Sequence, residues 1–249
     1  RFNTVGNWSE RRFTQWARLP YVWPLNDFPT TEMAIYRDFP DVFSDEYGAN
    51  AARYAAQLES FVGDPYLVGY FLNNEPAWAF IRDLNIAEEV LALEALTASK
   101  SALIAFLSER YGGDIQALDR AWGLQLGAFT DLRRPLHKAS RLSPQSEADL
   151  MAFSKQMIDR YARVPSEACR RVDPNHMNLG LRWASVHDPI LVTGYEHFDV
   201  FSINCYRMSP EEEINKVGKL TGKPVLVGEF HFGALDRGLV STGLRGVSS

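Results

Sequence analysis

Two glutamates are set apart by what precedes them. In GYFLNNEPAW (69–78), Glu75 follows an apolar run and two amides, Asn73 and Asn74; in GKPVLVGEFHFG (222–233), Glu229 follows a second apolar run and Gly228. Each stretch reads as a buried strand whose C-terminal end carries a carboxylate. A lone strand-end glutamate is usually solvated or salt-bridged, so it is the repeated construction that points to chemistry. Two carboxyl groups facing each other across a cleft suit glycosidic bond cleavage. One protonates the leaving oxygen; the other attacks the anomeric carbon or activates water to do so. Asn74 can donate its amide to a substrate hydroxyl, where an oxocarbenium-like transition state is stabilised. Tyr206, closing DVFSINCY, can donate its phenol to Glu229 and orient it as nucleophile, and His231 lies two residues beyond Glu229.

Positioning such a pair requires a scaffold that brings distant strand ends together. Apolar runs at 2–8, 19–23, 66–72, 177–183, 199–203 and 224–228 read as strands. Helical spacing covers 50–61, 86–111, 147–172 and 211–220, with Gly112-Gly113 and Asp173-Pro174-Asn175 as stop signals. Strands separated by helices imply parallel strands joined by right-handed crossovers. That allows a doubly wound sheet or a (β/α)₈ barrel. No strand leads into a Gly-rich phosphate turn. Nearly every strand ends instead in polar or aromatic groups: Asn7 and Trp8, Trp23, Asn74 and Glu75, Arg182 and Trp183, Asn204 and Tyr206, Glu229 and His231. Chemistry gathered from many strand C-termini is the barrel arrangement, so an α/β fold of the (β/α)₈ TIM-barrel type is expected. Glu75 and Glu229, three strand–helix units apart, then face each other across its mouth. Trp8, Trp23, Trp78 and Trp183 are either core plugs or cleft walls that stack on sugar rings. Residues 84–146 exceed one barrel helix and read as an insertion wrapping the cleft within a single domain, 1–249. The chain opens on a strand pattern and closes without a further element, so it reads as part of something longer.

Composition narrows the partner. With 26 basic against 31 acidic residues, the net charge of −5 provides no basic footprint for nucleic acid. No run approaches the ~20 apolar residues of a membrane span. Cys169 and Cys205 form no metal spacing and read as buried thiols. His137, His176, His187 and His197 lack ligand spacing, and neither an HExxH nor a GxSxG motif occurs.

The Asn74-Glu75 pair after one strand and Glu229 after a later one resemble the acid/base and nucleophile of the clan A glycoside hydrolases. These are retaining (β/α)₈ enzymes with their glutamates on strands four and seven. The resemblance makes the visible strands two to seven, leaving strands one and eight outside the chain. It also makes Tyr206 the strand-six tyrosine that contacts the nucleophile. SERYGGDIQALDRAWG (108–123) is similar to the insertion shared by family 42 β-galactosidases and family 50 β-agarases. FNTVGNWS (2–9) and VGEFHFGALDRG (227–238) look closer to the agarases. The resemblance implies retaining hydrolysis of a β-linked galactan, most often agarose, in a secreted or periplasmic setting. Glu75 and Glu229 are the expected catalytic residues, with Asn7, Trp8, Asn74, Trp78, Trp183, Tyr206 and His231 as substrate-binding groups. Neither a metal nor an organic cofactor is required. Two alternatives stand beside this one: a β-galactosidase acting on short galactosides, and a non-catalytic carbohydrate-binding barrel remnant.

Overall fold

The computed structural model describes residues 3–230. Its strands are β1 (Tyr21–Pro24), the short antiparallel pair β2 (Ala34–Tyr36) and β3 (Phe39–Pro40), β4 (Leu67–Phe71), β5 (Met177–Asn178), β6 (Phe201–Asn204) and β7 (Val225–Glu229). β1, β4 and β5 run parallel in that order, and β6 pairs in parallel with β7. Parallel bridges extend the array at both places where ladders are missing: Val5 pairs with Tyr21, and Trp183 with Ile203. Six parallel positions therefore follow one another in sequence order, as the alternation of apolar runs and helices implied.

Two of the expected strands are shorter than their apolar runs. Among the described residues, the run at 2–8 contributes only the bridge at Val5. The run at 177–183 pairs at its two ends, because Gly180 (φ 79°) and Arg182 (φ 46°) adopt left-handed backbone that interrupts a ladder. No backbone ladder joins the Val5 segment to β7 among the described residues, so the array does not close into a barrel. Side chains bridge the gap instead: Asn7 Nδ2 donates to Gly228 O at 3.3 Å. Beneath them lies an apolar cavity of about 680 Å³ lined by Val5, Val22, Phe71, Leu226 and Val227.

A short helix, α1 (Arg11–Ala17), precedes β1, and the later helices follow their capping chemistry. The helix expected over 50–61 begins earlier, as α2 (Asp45–Ala55), because Ser44 caps it by accepting from Tyr47 N–H and two acidic residues occupy its first turn. Tyr47, Ala51, Tyr54 and Ala55 form its buried stripe, and a 3₁₀ turn (Ala56–Ser60) completes it. The single helix expected over 86–111 is two, α3 (Ile86–Ala92) and α4 (Ala98–Arg110). Thr97 caps α4, and the Asp41 carboxylate accepts from Ala98 and Ser99 N–H, both at 2.8 Å. Four orphan N–H groups at a new helix start are thus partly satisfied from a distant loop, which makes the break stable.

After α5 (Ile115–Trp122) comes α6 (Pro144–Val172), a 29-residue helix opened by reciprocal Ser143–Ser146 caps. It contains Pro165, which cannot donate to the carbonyl one turn back. That carbonyl, Tyr161 O, accepts instead from Tyr47 Oη at 2.8 Å, so the interruption is repaired by α2. Buried Asp149 on α6 collects Tyr111 Oη (2.5 Å), Trp122 Nε1 (2.9 Å), Gln145 Nε2 (2.7 Å) and Arg110 Nε (2.7 Å), which ties α4 and α5 to this helix. α7 (Glu211–Thr221) links β6 to β7. No helix among the described residues is long and apolar enough to cross a membrane.

Close approach of β4 and β5 depends on Gly69, where a Cβ would lie 2.4 Å from Met177 O and 2.9 Å from Leu179 Cγ. Backbone cannot yield as a flexible side chain can. Gly69→Ala is expected to destabilise the fold by about 1–3 kcal/mol. The effect should show as a lower urea midpoint with an unchanged slope; an unaltered midpoint would show that the two strands separate freely.

Candidate active site

The C-terminal ends of β4, β6 and β7 converge. Beyond β4 the chain stays beside the β5 extension through Leu72 N to Gly180 O (2.8 Å) and Glu75 N to Arg182 O (3.2 Å). Glu75 has φ 50°, left-handed for a residue with a side chain. Pro76 follows, and the Asp38 carboxylate then accepts from Ala77 and Trp78 N–H at 2.7 and 2.8 Å, anchoring the turn that leads away. Among the described residues, eight non-glycine positions have positive φ, and three of them (Trp8, Glu75 and Arg182) meet here. Such backbone costs of order 1–3 kcal/mol per residue, and clusters of it mark functional sites.

Every oxygen of the Glu229 carboxylate has a donor. Oε1 accepts from Trp8 Nε1 at 2.8 Å and from Arg182 Nη1 at 3.2 Å. Oε2 accepts from Tyr206 Oη at 2.6 Å. The hydrogen bond to Glu229, then burial and the glutamate's charge push the Tyr206 phenol up to about 12, so at neutral pH it remains a donor. Glu75 Oε1 accepts from Asn204 Nδ2 at 2.8 Å, and the same amide reaches Asn74 Oδ1 at 3.2 Å.

Two residues connect the glutamates, each with its side chain to one and its backbone to the other. Asn204, 4% exposed, bonds Glu75, while its backbone is paired in register with Glu229. Arg182, 1% exposed, bonds Glu229 through its guanidinium and holds Glu75 N–H through its carbonyl oxygen. Burial lowers the Arg182 guanidinium from its ordinary value, against the opposing charges of Glu229 and Glu75. A cavity of about 200 Å³ opens on the Glu75 side, lined by Pro76, Ala79, Phe80, Arg82 and Trp183 among others. Two carboxyl groups from different strands, one anchored by three donors and one beside an open cavity, form an arrangement able to handle a proton and a nucleophile separately.

The family model of glycoside hydrolase family 42, described as beta-galactosidase, matches residues 16–225. The chain belongs to this glycoside hydrolase family. Beta-agarase A of Vibrio sp. (strain JT0107) is 29% identical over 277 residues, an alignment covering the whole chain and 27% of that relative. Solved structures of an agarase and of an exo-beta-agarase are each 26% identical, with TM-scores of 0.84 and 0.83; the match takes in all of this chain and 37% and 35% of theirs. The chain thus spans about a quarter of the length of the curated relatives it matches. Its α/β architecture is that of a TIM-barrel-related domain.

Within this family 42 chain, Glu75, Glu229, Asn74, Tyr206 and Trp8 come together as the strand-end pattern suggested, and Asn7 adjoins them through Gly228 O. Trp183 is buried, yet it lines the cavity beside Glu75. Trp78 is a core residue, 1% exposed, packed edge-to-face on Phe39, Tyr161 and Trp183. Its ring is taken up by core packing, and its backbone N–H is held by Asp38 at 2.8 Å. Trp23 packs on Phe61, with ring centroids 5.5 Å apart. His231 lies outside the described residues. Sequence reasoning passed over Arg182 and Asn204. Their signal was visible, since both stand at strand ends beside Trp183 and Tyr206, but nothing in the pattern ranked them above those neighbours.

Proposed function

We propose that this chain carries the catalytic pair of a retaining glycoside hydrolase that cleaves β-galactosidic bonds in an agarose-like galactan. Glu75 is the general acid. It protonates the leaving oxygen while Glu229 attacks the anomeric carbon, giving a covalent glycosyl–enzyme; Glu75 then takes a proton from the water that releases the sugar. Tyr206 and Trp8 hold Glu229, Asn204 orients Glu75, and Asn74 binds a hydroxyl beside the scissile bond. Trp183 and Asn7 complete the cleft. In this reading the six parallel positions are strands two to seven of a (β/α)₈ barrel, and residues 84–146 are an insertion after the fourth. The observation that supports the proposal is that both glutamates share Asn204 and Arg182 as neighbours, one as a carboxylate held by three donors and the other bonded to Asn204. The galactan is supported by the names of the relatives, which are beta-agarases.

The family description as beta-galactosidase favours a second substrate, short galactosides. Incubating the complete protein with agarose and with lactose-type sugars separates the two. Release of neoagaro-oligosaccharides from agarose is the expected result. Cleavage of small galactosides alone would replace the galactan with them, and glycan binding without turnover of either would make the chain a binding module.

A further inference from the structure

Arg182 is the one arginine among the largest fully buried side chains of the described residues, and its placement is unfavourable on several counts. Its backbone is left-handed, and its Nε has no hydrogen-bond partner among the described residues. Its Cδ and Cγ lie where a Cβ on residue 228 would stand, at 2.7 and 3.1 Å, so residue 228 must be glycine to admit it. A buried ion pair contributes little net stability, and an orphaned N–H detracts from it. Packing therefore does not account for this arginine. Its surroundings aim it at one atom. The guanidinium carbon lies 4.7 Å from the Trp8 ring centroid and 4.8 Å from that of Phe71, and Nη1 meets Glu229 Oε1 at 3.2 Å. Held between two aromatic faces, the planar group has little freedom to turn away.

We propose that Arg182 is a positioning residue for Glu229: clamped between Trp8 and Phe71, it fixes Oε1 and supplies the positive charge opposite the nucleophile, and Gly228 is the clearance that lets it reach. The inference rests on the reading of Glu229 as nucleophile. Among the described residues Oε1 has two donors and Oε2 the single phenolic donor of Tyr206, so Oε1 is the anchored oxygen and Oε2 the one presented to the anomeric carbon. Among the described residues, the charged and titratable groups around the guanidinium are Glu229, Glu75 and Tyr206. Removing the cation takes away the positive charge that Glu229 contacts.

The test compares Arg182→Met, which keeps the stem and removes the charge, with Arg182→Lys in the complete protein. In the Met variant, kcat/KM on an aryl β-galactoside should fall while KM stays near that of the unsubstituted protein, and the acid limb of the pH profile should move up by about one pH unit. The Lys variant should restore the acid limb but not full kcat, since a point charge replaces the planar fork. A Met variant with lowered thermal stability and an unmoved acid limb would overturn the proposal, leaving Arg182 a packing residue. If the Met variant does not fold, the Lys variant decides: a lowered kcat at near-normal KM supports positioning, and unchanged kcat and KM overturn it. Should the unsubstituted protein turn over no galactoside and take no label from an activated fluoroglycoside, the functional reading fails on its own. The arginine is then judged by carbon-13 NMR titration of Glu229 with and without Arg182→Met, where an unmoved titration overturns the contact's role.

Discussion

In the complete protein, Glu229→Ala is expected to lower kcat on an aryl β-galactoside by roughly 10⁴-fold or more, the scale at which a covalent nucleophile is lost. Alanine is a cleaner replacement than glutamine. Both oxygens of Glu229 act as acceptors, from Trp8 and Arg182 on one side and Tyr206 on the other. A glutamine would turn an NH₂ group toward one of those donors and leave it unpaired. The space left by the alanine admits azide, which attacks from the face the carboxylate occupied, so restored turnover should yield the α-glycosyl azide. An activated fluoroglycoside should label the peptide containing Glu229 in the unsubstituted protein. A label on another residue, or a loss of activity within about tenfold, would remove Glu229 from the nucleophile's role.

Glu75→Gly should show a different signature. Loss of the acid is expected to cost about 10²–10⁴-fold on sugars, whose leaving oxygen needs a proton, and far less on galactosides with activated aryl leaving groups. Glycine suits the position because φ at residue 75 is 50°, so the substitution relieves backbone strain while it removes the carboxyl. Azide now enters after the glycosyl–enzyme has formed and takes the place of the activated water, so the product should be the β-glycosyl azide. Opposite anomers from the two variants would define the two roles independently of rate. The same anomer from both, or equal losses on good and poor leaving groups, would refute the division of labour between Glu75 and Glu229.

Much of the scaffold was legible because burial leaves a periodic trace. The six apolar runs each contain a parallel pairing position, and the spacing of Tyr47, Ala51 and Tyr54 marks a helix face whatever it packs against. The break between α3 and α4 left no such trace. Apolar spacing continues across it, and what divides the helix is the Asp41 carboxylate, far away in sequence, arriving at the N–H groups of Ala98 and Ser99. The helix read over 147–172 does run through Pro165, but what lets it do so is tertiary: Tyr47 takes the carbonyl that the proline cannot serve.

The site divides in the same way. That carboxylates, amides and aromatics cluster at strand ends is a property of order along the chain, and parallel strands oblige those ends to gather on one side. Glu75, Glu229 and Tyr206 could be named on that ground. Which strand-end side chain would be desolvated, and against what, belongs to the tertiary structure alone. It buried Trp78 in the core, left Trp8 exposed to bond Glu229, and drove Arg182 between two rings through the clearance at Gly228. Periodicity reports how far a residue lies from its neighbours in the chain. Hydrogen bonds and ion pairs depend on distances across the sheet, and those exist only once the strands have packed.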